Sequence, residues 1–161
     1  MKAVQTLWTR GQSLLADGFG WAHPQYNLMS WALSSLCLSE HFNEVVLYTD
    51  SIGYEMLVKK LGLPYTDVVI QYDHFTCPPP HWAYAKVMTY SLQKEPFIHV
   101  DGDVYLPHPL RKEIETANLI AQNEEVGSGY YRKMMDNIME QKLMFPDFLK
   151  KEIESSRRKT K

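Results

Sequence analysis

Strand-like and helix-like patterns of apolar residues alternate along the first hundred residues of the chain. Short runs dense in β-branched and apolar residues predict four strands, at 3–8, 44–50, 65–73 and 97–101. Apolar residues at helical spacing predict three helices between them, at 26–39, 52–61 and 83–94. Alternation of this kind is typical of a parallel sheet that helices cover on both faces.

The sequence after residue 101 predicts one more strand and a helical end. The apolar segment 117–123 has the composition of a fifth strand, and the chain from about Tyr130 has helical character. We therefore predict an α/β fold with a Rossmann-like, mostly parallel sheet, in a domain that spans residues 1–149. Residues 150–161 are basic, and we expect them to form a disordered tail.

The distribution of charge argues against a nucleic-acid partner. The formal net charge is -2, but the tail at 150–161 holds six of the 17 basic residues, so the preceding body is acidic. Binding to nucleic acid needs a basic face on the body itself. At most, the basic tail predicts a peripheral contact with an anionic membrane surface.

Cysteine content and hydropathy predict a cytoplasmic location. Cys37 and Cys77 form neither a disulfide framework nor a metal-ligand spacing. The first fifteen residues lack the apolar core of a signal peptide, and no segment approaches the length of a transmembrane span. These features favour a reducing compartment.

In the stretch PFIHVDGDVYLPHPL, residues 96–110, the predicted buried strand is followed directly by two carboxylates, Asp101 and Asp103. Neighbouring carboxylates repel each other, so they tend to recruit a cation, and Mn²⁺ or Mg²⁺ commonly binds one or two carboxylates together with substrate phosphates. Gly102 lies between them and would let a ligand approach the backbone closely. The alternative is that both aspartates only cap a turn.

Three segments carry a family resemblance. FIHVDGDV, the preceding helix WAYAKVMTYSLQ, and VVLYTDSIG resemble the nucleotide-binding half of a GT-A-type glycosyltransferase, over roughly residues 3–125. In that family an Asp-X-Asp motif holds a divalent metal, usually Mn²⁺, on the diphosphate of a nucleotide-sugar. The resemblance implies that Asp103 is the principal metal ligand and that Asp101 contacts the ribose or the metal.

The same resemblance implies further contacts with the nucleotide-sugar. Trp8 and Thr9 follow the first strand, where such enzymes hold the base, and Asp50 ends the second strand, where a base or ribose contact is common. Lys86 precedes the motif on a helix, where several families keep a basic residue near the phosphates. From the residues alone, Trp8 is better interpreted as core packing, and a solvated surface position fits Lys86 as well as a phosphate contact does.

The function implied is that of a metal-dependent glycosyltransferase, or of its donor-binding portion, with a saccharide, lipid or protein acceptor. GT-A chains usually continue past the fifth strand into an acceptor-binding half, which often supplies the catalytic base. Because little sequence follows here, we expect a fold that is incomplete on its C-terminal side. We therefore expect a chain that binds donor but turns over slowly alone, and no catalytic base is identified.

Two other functions are compatible with the motif. A haloacid-dehalogenase phosphatase would use Asp101 as nucleophile, Asp103 as general acid and Mg²⁺ as cofactor, but its motif opens the fold, whereas three predicted strands precede the motif here. A non-catalytic α/β binding module would use the aspartates only in a turn. Metal-dependent nucleotide binding would indicate the glycosyltransferase, and a covalent aspartyl-phosphate would indicate the phosphatase. A binding module would show neither.

Overall fold

The computed structural model describes residues 1–78, 81–122, 129–141 and 144–151. The chain forms two compact units, Met1–Ala117 and Asn118–Lys161. The first unit contains four strands, namely β1 (Lys2–Leu7), β2 (Val45–Thr49), β3 (Asp67–Ile70) and β4 (Phe97–His99). Its helices are α1 (Pro24–His41), α2 (Ser51–Gly53), which continues as a π-helical segment (Tyr54–Lys60), α3 (Tyr84–Ser91) and α4 (Lys112–Glu115). The second unit contains α5 (Gly129–Glu140).

The four strands form one parallel sheet in the order β3-β2-β1-β4. Val4 of β1 pairs with Val46 on one side and with His99 on the other, so β1 is an inner strand. The chain moves outward from β1 to β3 and then crosses to the opposite side of β1, which places a topological switch point between β1 and β4. The predicted α/β class and parallel sheet are confirmed.

Helices pack on both faces of the sheet because alternate side chains of each inner strand point to opposite faces. On one face, Leu7 and Leu47 join Trp31 of α1 and Leu57 of the π-helical segment in an apolar cluster. On the other face, the cluster combines buried side chains of β1, β2, α3 and the segment after β3, namely Val4, Val46, Tyr48, Ala85 and Tyr72. The predicted two-sided cover is therefore present.

Inner strand β1 also carries two buried polar residues, each satisfied by hydrogen bonds. Gln5 Nε2 donates to Ser34 Oγ of α1 at 3.0 Å, and Gln5 Oε1 accepts from Tyr65 Oη at 2.8 Å. On the opposite face, Thr6 Oγ1 donates to Thr89 Oγ1 of α3 at 2.7 Å. Because an unpaired buried polar group is costly, these bonds fix the positions of α1 and α3 against the sheet.

Local capping interactions mark the start of α2 and the end of the π-helical segment that continues it. Asp50 caps α2 by accepting from Gly53 N at 2.9 Å, and Gly62 adopts the left-handed φ of +60° expected after a helix. None of the described helices combines the length and apolar character that crossing a membrane requires.

The predicted fifth strand is wrong over the residues that the structure describes. Residues 117–122 are irregular, and Leu119 is 90% exposed. An apolar run becomes a strand only where a partner strand and a face to bury are available, and neither is present at 117–122. Most of the predicted tail, residues 152–161, and two of the three consecutive prolines, Pro79 and Pro80, lie outside the described residues.

Candidate functional site

A pocket of about 430 Å³ lies at the carboxyl ends of β1 and β4, beside the switch point. In parallel α/β sheets this is where ligands usually bind. Its lining includes Asp101, Gly102 and Asp103 together with Lys86 and Arg10. All four tryptophans of the chain also line it: Trp8, Trp21, Trp31 and Trp82. Of the predicted site residues, the structure thus brings Trp8, Lys86 and the Asp-Gly-Asp motif together.

Helix α1 holds the backbone of the Asp-Gly-Asp motif through two buried serines one turn apart. Ser30 Oγ donates to the Gly102 carbonyl at 2.7 Å, and Ser34 Oγ donates to the Val104 carbonyl at 2.7 Å. The motif itself forms a tight turn, in which Val104 N donates to the Asp101 carbonyl at 3.0 Å. The direction of the two carboxylates is therefore set by a rigid helix and not by a free loop.

Gly102 is required for this close approach. A Cβ on Gly102 would lie 2.4 Å from Cε2 of Trp31, whose indole is buried in the core. The space left by the missing side chain is thus occupied by Trp31. The sequence predicted that the missing side chain of Gly102 leaves room for a ligand. In the structure, this room allows α1 to pack against the motif.

Asp101 is engaged by two neighbours. Its Oδ2 accepts from Lys86 Nζ at 2.7 Å, and its Oδ1 lies 3.5 Å from His99 Nδ1. The second contact forms because His99 and Asp101 are two residues apart, and alternate side chains of an extended segment point to the same face. Burial lowers the pKa of His99 to about 4 and outweighs the attraction of the Asp101 carboxylate, so the imidazole is neutral near pH 7. Lys86 is therefore the cation that compensates Asp101.

Asp103, in contrast, presents an exposed side chain at the pocket. Within the described residues, no cluster of three or more histidine, cysteine, aspartate or glutamate side chains could hold a metal. Two carboxylates on one turn suit a metal that arrives with phosphate oxygens as its remaining ligands. The residues fit a metal bound together with a diphosphate, and not a metal bound by protein groups alone.

Two sharp turns shape the pocket wall, and sequence reasoning did not identify them. Gln12 N donates to the Thr9 carbonyl at 3.0 Å across Arg10 and Gly11, and Trp21 N donates to the Gly18 carbonyl at 2.9 Å across two more residues. The central residues all have positive φ: Arg10 (59°), Gly11 (77°), Phe19 (48°) and Gly20 (94°). Non-glycine residues rarely adopt this conformation, and strained backbone of this kind concentrates at functional sites.

The two turns contact each other through their strained residues. Arg10 Cζ lies 5.8 Å from the centroid of the Phe19 ring, within the range of a cation–π interaction. The glycines at 11, 18 and 20 are the only sequence signal for these turns, and it marks turns without revealing that they meet.

Thr9 and Asp50 do not reach this pocket. Asp50 is buried, and its Oδ2 accepts from both Thr9 N at 2.7 Å and Thr9 Oγ1 at 2.8 Å, while Oδ1 caps α2. Asp50 lines a second cavity of about 650 Å³, which also includes Trp8 and Arg10. These bonds tie the end of β1 to the end of β2, so both residues position the site. Their contact with a nucleotide stays a prediction.

Comparison with known proteins gives one match. A protein-family model described as "Family of unknown function (DUF6734)" matches residues 1–161. No curated protein and no solved structure shows significant similarity to the chain.

Proposed function

The chain belongs to the family of unknown function DUF6734, and we propose that its pocket binds a nucleotide-sugar through a divalent metal for glycosyl transfer. One observation carries this proposal. The Asp-Gly-Asp turn, Lys86 and Arg10 line the same pocket at the carboxyl ends of two parallel strands. Paired carboxylates and flanking cations are the groups that a metal-bound diphosphate needs.

Asp103 and Asp101 would hold the metal, Mn²⁺ or Mg²⁺. When bound, such an ion stabilises the negative charge of the departing nucleoside diphosphate. Lys86 Nζ pairs with Asp101 Oδ2 at 2.7 Å and lines the pocket, so it would share its charge between that carboxylate and a phosphate oxygen. Arg10, on its strained turn, would add a second cation at the same pocket.

In the proposed reaction, the bond between the anomeric carbon of the sugar and the diphosphate oxygen breaks. The diphosphate leaves with that bond's electron pair. A hydroxyl oxygen of the acceptor forms the new bond to the anomeric carbon, and its proton passes to a base that we do not assign. The acceptor is a saccharide, lipid or protein.

We place the reaction in the cytoplasm, since Cys37 and Cys77 are free thiols.

Calorimetric titration of the full chain tests this proposal. Uridine, guanosine, adenosine and cytidine diphosphates and their glucose conjugates would each be titrated with Mn²⁺ and with EDTA. We expect at least one nucleotide to bind with Mn²⁺ and its affinity to fall at least tenfold in EDTA. Absence of metal-dependent binding across the whole panel would contradict the proposal.

Asp101→Asn separates glycosyl transfer from phosphatase chemistry. The substitution keeps side-chain size but removes the charge that pairs with Lys86, so we expect nucleotide binding to weaken by roughly 1–3 kcal/mol, the range for a hydrogen bond to a charged group. A phosphatase would instead lose its nucleophile and its turnover while still binding substrate. Incubation of the unmodified chain with a labelled phosphate donor completes the test, since label covalently attached to Asp101 would exclude the transferase.

A further inference from the structure

We propose that two tryptophans of the pocket, Trp21 and Trp82, together with Asn27, form a subsite for a pyranose ring. The inference rests on the proposed function for its place beside the diphosphate, but its binding test does not need a metal. The ring could belong to the sugar of the donor or to a saccharide acceptor, and these two sources share the same chemistry. One face of a pyranose carries apolar C–H groups that pack on an aromatic ring, while hydroxyl groups at its edge need hydrogen bonds.

Two of the tryptophans are open to a ligand. Trp21 is 40% exposed and Trp82 is 57% exposed, which is unusual for the largest apolar side chain. Lys86 Nζ lies 5.2 Å from the centroid of the Trp82 ring. A cation over one face of an indole leaves the opposite face available for stacking, so Trp82 can contact a ligand while Lys86 remains paired with Asp101.

Trp21 is held in place although it lies outside regular secondary structure. A Cβ on Gly18 would lie 2.4 Å from the Trp21 carbonyl, so only glycine permits this tight loop. Phe19 N donates to Asp17 Oδ1 at 2.7 Å, and Arg10 covers the Phe19 ring. A loop ordered before binding loses less conformational entropy when the ligand arrives.

Asn27 supplies an unpaired hydrogen-bonding group at the same pocket. The residue is 4% exposed and lines the pocket, yet its Nδ2 has no hydrogen-bond partner among the residues that the structure describes. A buried amide without a partner is costly, so such a group in a binding pocket points to a ligand that satisfies it. In the proposed subsite, a sugar hydroxyl accepts from this donor once the side-chain amide has turned about its terminal torsion.

The position of Trp31 favours a sugar over a nucleobase. Trp31 packs on Gly102, between the two carboxylates that would hold the metal. In a nucleotide-sugar, the transferred sugar is attached directly to the reacting end of the diphosphate, whereas the base is attached to the other end through the ribose. An acceptor hydroxyl must also approach the anomeric carbon at this point. Rings bound beside Trp31 are therefore those of the transferred sugar or of the acceptor.

The test follows tryptophan fluorescence of the full chain during three titrations. The first uses neutral hexose disaccharides and trisaccharides with EDTA and no nucleotide. A fluorescence change in this titration would show that the subsite binds a saccharide acceptor. The second and third use a nucleoside diphosphate and its hexose conjugate, each with Mn²⁺. A higher affinity for the conjugate than for the diphosphate would show that the subsite binds the donor sugar. We expect a response in the first titration, a preference for the conjugate, or both.

Variants identify the residues responsible. Trp21→Ala and Trp82→Ala should each weaken the saccharide response roughly fivefold to tenfold, and Asn27→Ala by a similar factor. Each substitution should weaken the affinity for nucleoside diphosphate less than it weakens the saccharide response. Phe148→Ala, which removes an aromatic residue that is exposed in the other unit, is the matched control and should change nothing. Circular dichroism of each variant confirms that it is folded.

The failures of the two proposals are distinguishable. If nucleoside diphosphates bind with Mn²⁺ but no saccharide binds and the conjugate gains nothing, the saccharide subsite is refuted and the proposed function stands. If free saccharides bind through Trp21 and Trp82 while no nucleotide binds, the subsite stands and the donor proposal fails. Quenching of both tryptophans by free nucleosides, abolished in the variants, would assign them to the base and overturn the subsite.

Discussion

Asp103→Ala should abolish Mn²⁺-dependent binding of nucleoside diphosphates while leaving the fold intact. Asp103 is exposed at the pocket, whereas Asp101 already pairs with Lys86, so Asp103 is the carboxylate most available to a metal. Loss of residues that merely orient metal ligands costs 10–100-fold, and loss of a ligand itself should exceed about 100-fold. Truncation of an exposed side chain should change the free energy of unfolding by no more than about 0.5 kcal/mol.

The measurement is calorimetry with and without Mn²⁺, accompanied by urea unfolding of the apo protein. Asp147→Ala is the matched control, because it removes an aspartate of the second unit that is also exposed. An Asp103→Ala chain with the affinity of the unmodified protein would remove the basis for a metal-bound diphosphate in this pocket.

Gly102→Ala should damage both stability and binding through a single added methyl group. The new Cβ would overlap the ring of Trp31, which cannot swing aside because it is packed against Leu7 and Leu47 in the core. Overpacking of this kind typically costs 1–3 kcal/mol. Relief of the overlap must separate α1 from the motif, which would also disturb the bond from Ser30 to the Gly102 carbonyl and redirect both carboxylates.

Gly129→Ala is the matched control, since a Cβ at that position meets none of the residues that the structure describes within 4 Å. Urea denaturation should show a loss of stability for Gly102→Ala and little change for Gly129→Ala. Mn²⁺-dependent nucleotide affinity should fall only in Gly102→Ala. Equal stability of the two variants would show that Gly102 and Trp31 are not in close contact.

The fold was predictable to the extent that local patterns determine it. The four strands β1 to β4 and helices α1 and α3 lie where the sequence pattern predicts them, and the caps at Asp50 and Gly62 follow from local backbone chemistry. The buried faces of the two helices were less predictable, because α1 buries Ser30 and Ser34 and α3 buries Ala85 and Thr89 while most of their large apolar side chains stay exposed. The segment 117–123 has the same apolar character as the true strands, yet residues 117–122 pair with nothing. Pairing is a tertiary property, and composition alone does not encode it.

The candidate site was only partly predictable for a related reason. The Asp-Gly-Asp motif and Lys86 were identifiable because one strand and the helix before it carry them. Trp21 and Trp31 come from a loop and a helix far from the motif in sequence, and only the packing of α1 brings them to the pocket. Asp50 was identified, but its carboxylate is already occupied by Thr9 and the helix cap.

The central place of β1 in the sheet has a consequence for how this protein folds during synthesis. Val4 hydrogen-bonds through its carbonyl to Val100 N, and β4 emerges from the ribosome long after β1 and β2 have been made. Until then one edge of β1 remains unpaired, and such edges promote aggregation. Gln5 and Thr6 are polar residues within β1, and they lower the hydrophobicity of this strand while its edge is unpaired. We therefore expect slow folding, limited by the docking of β4 and by the long chain closure that it requires.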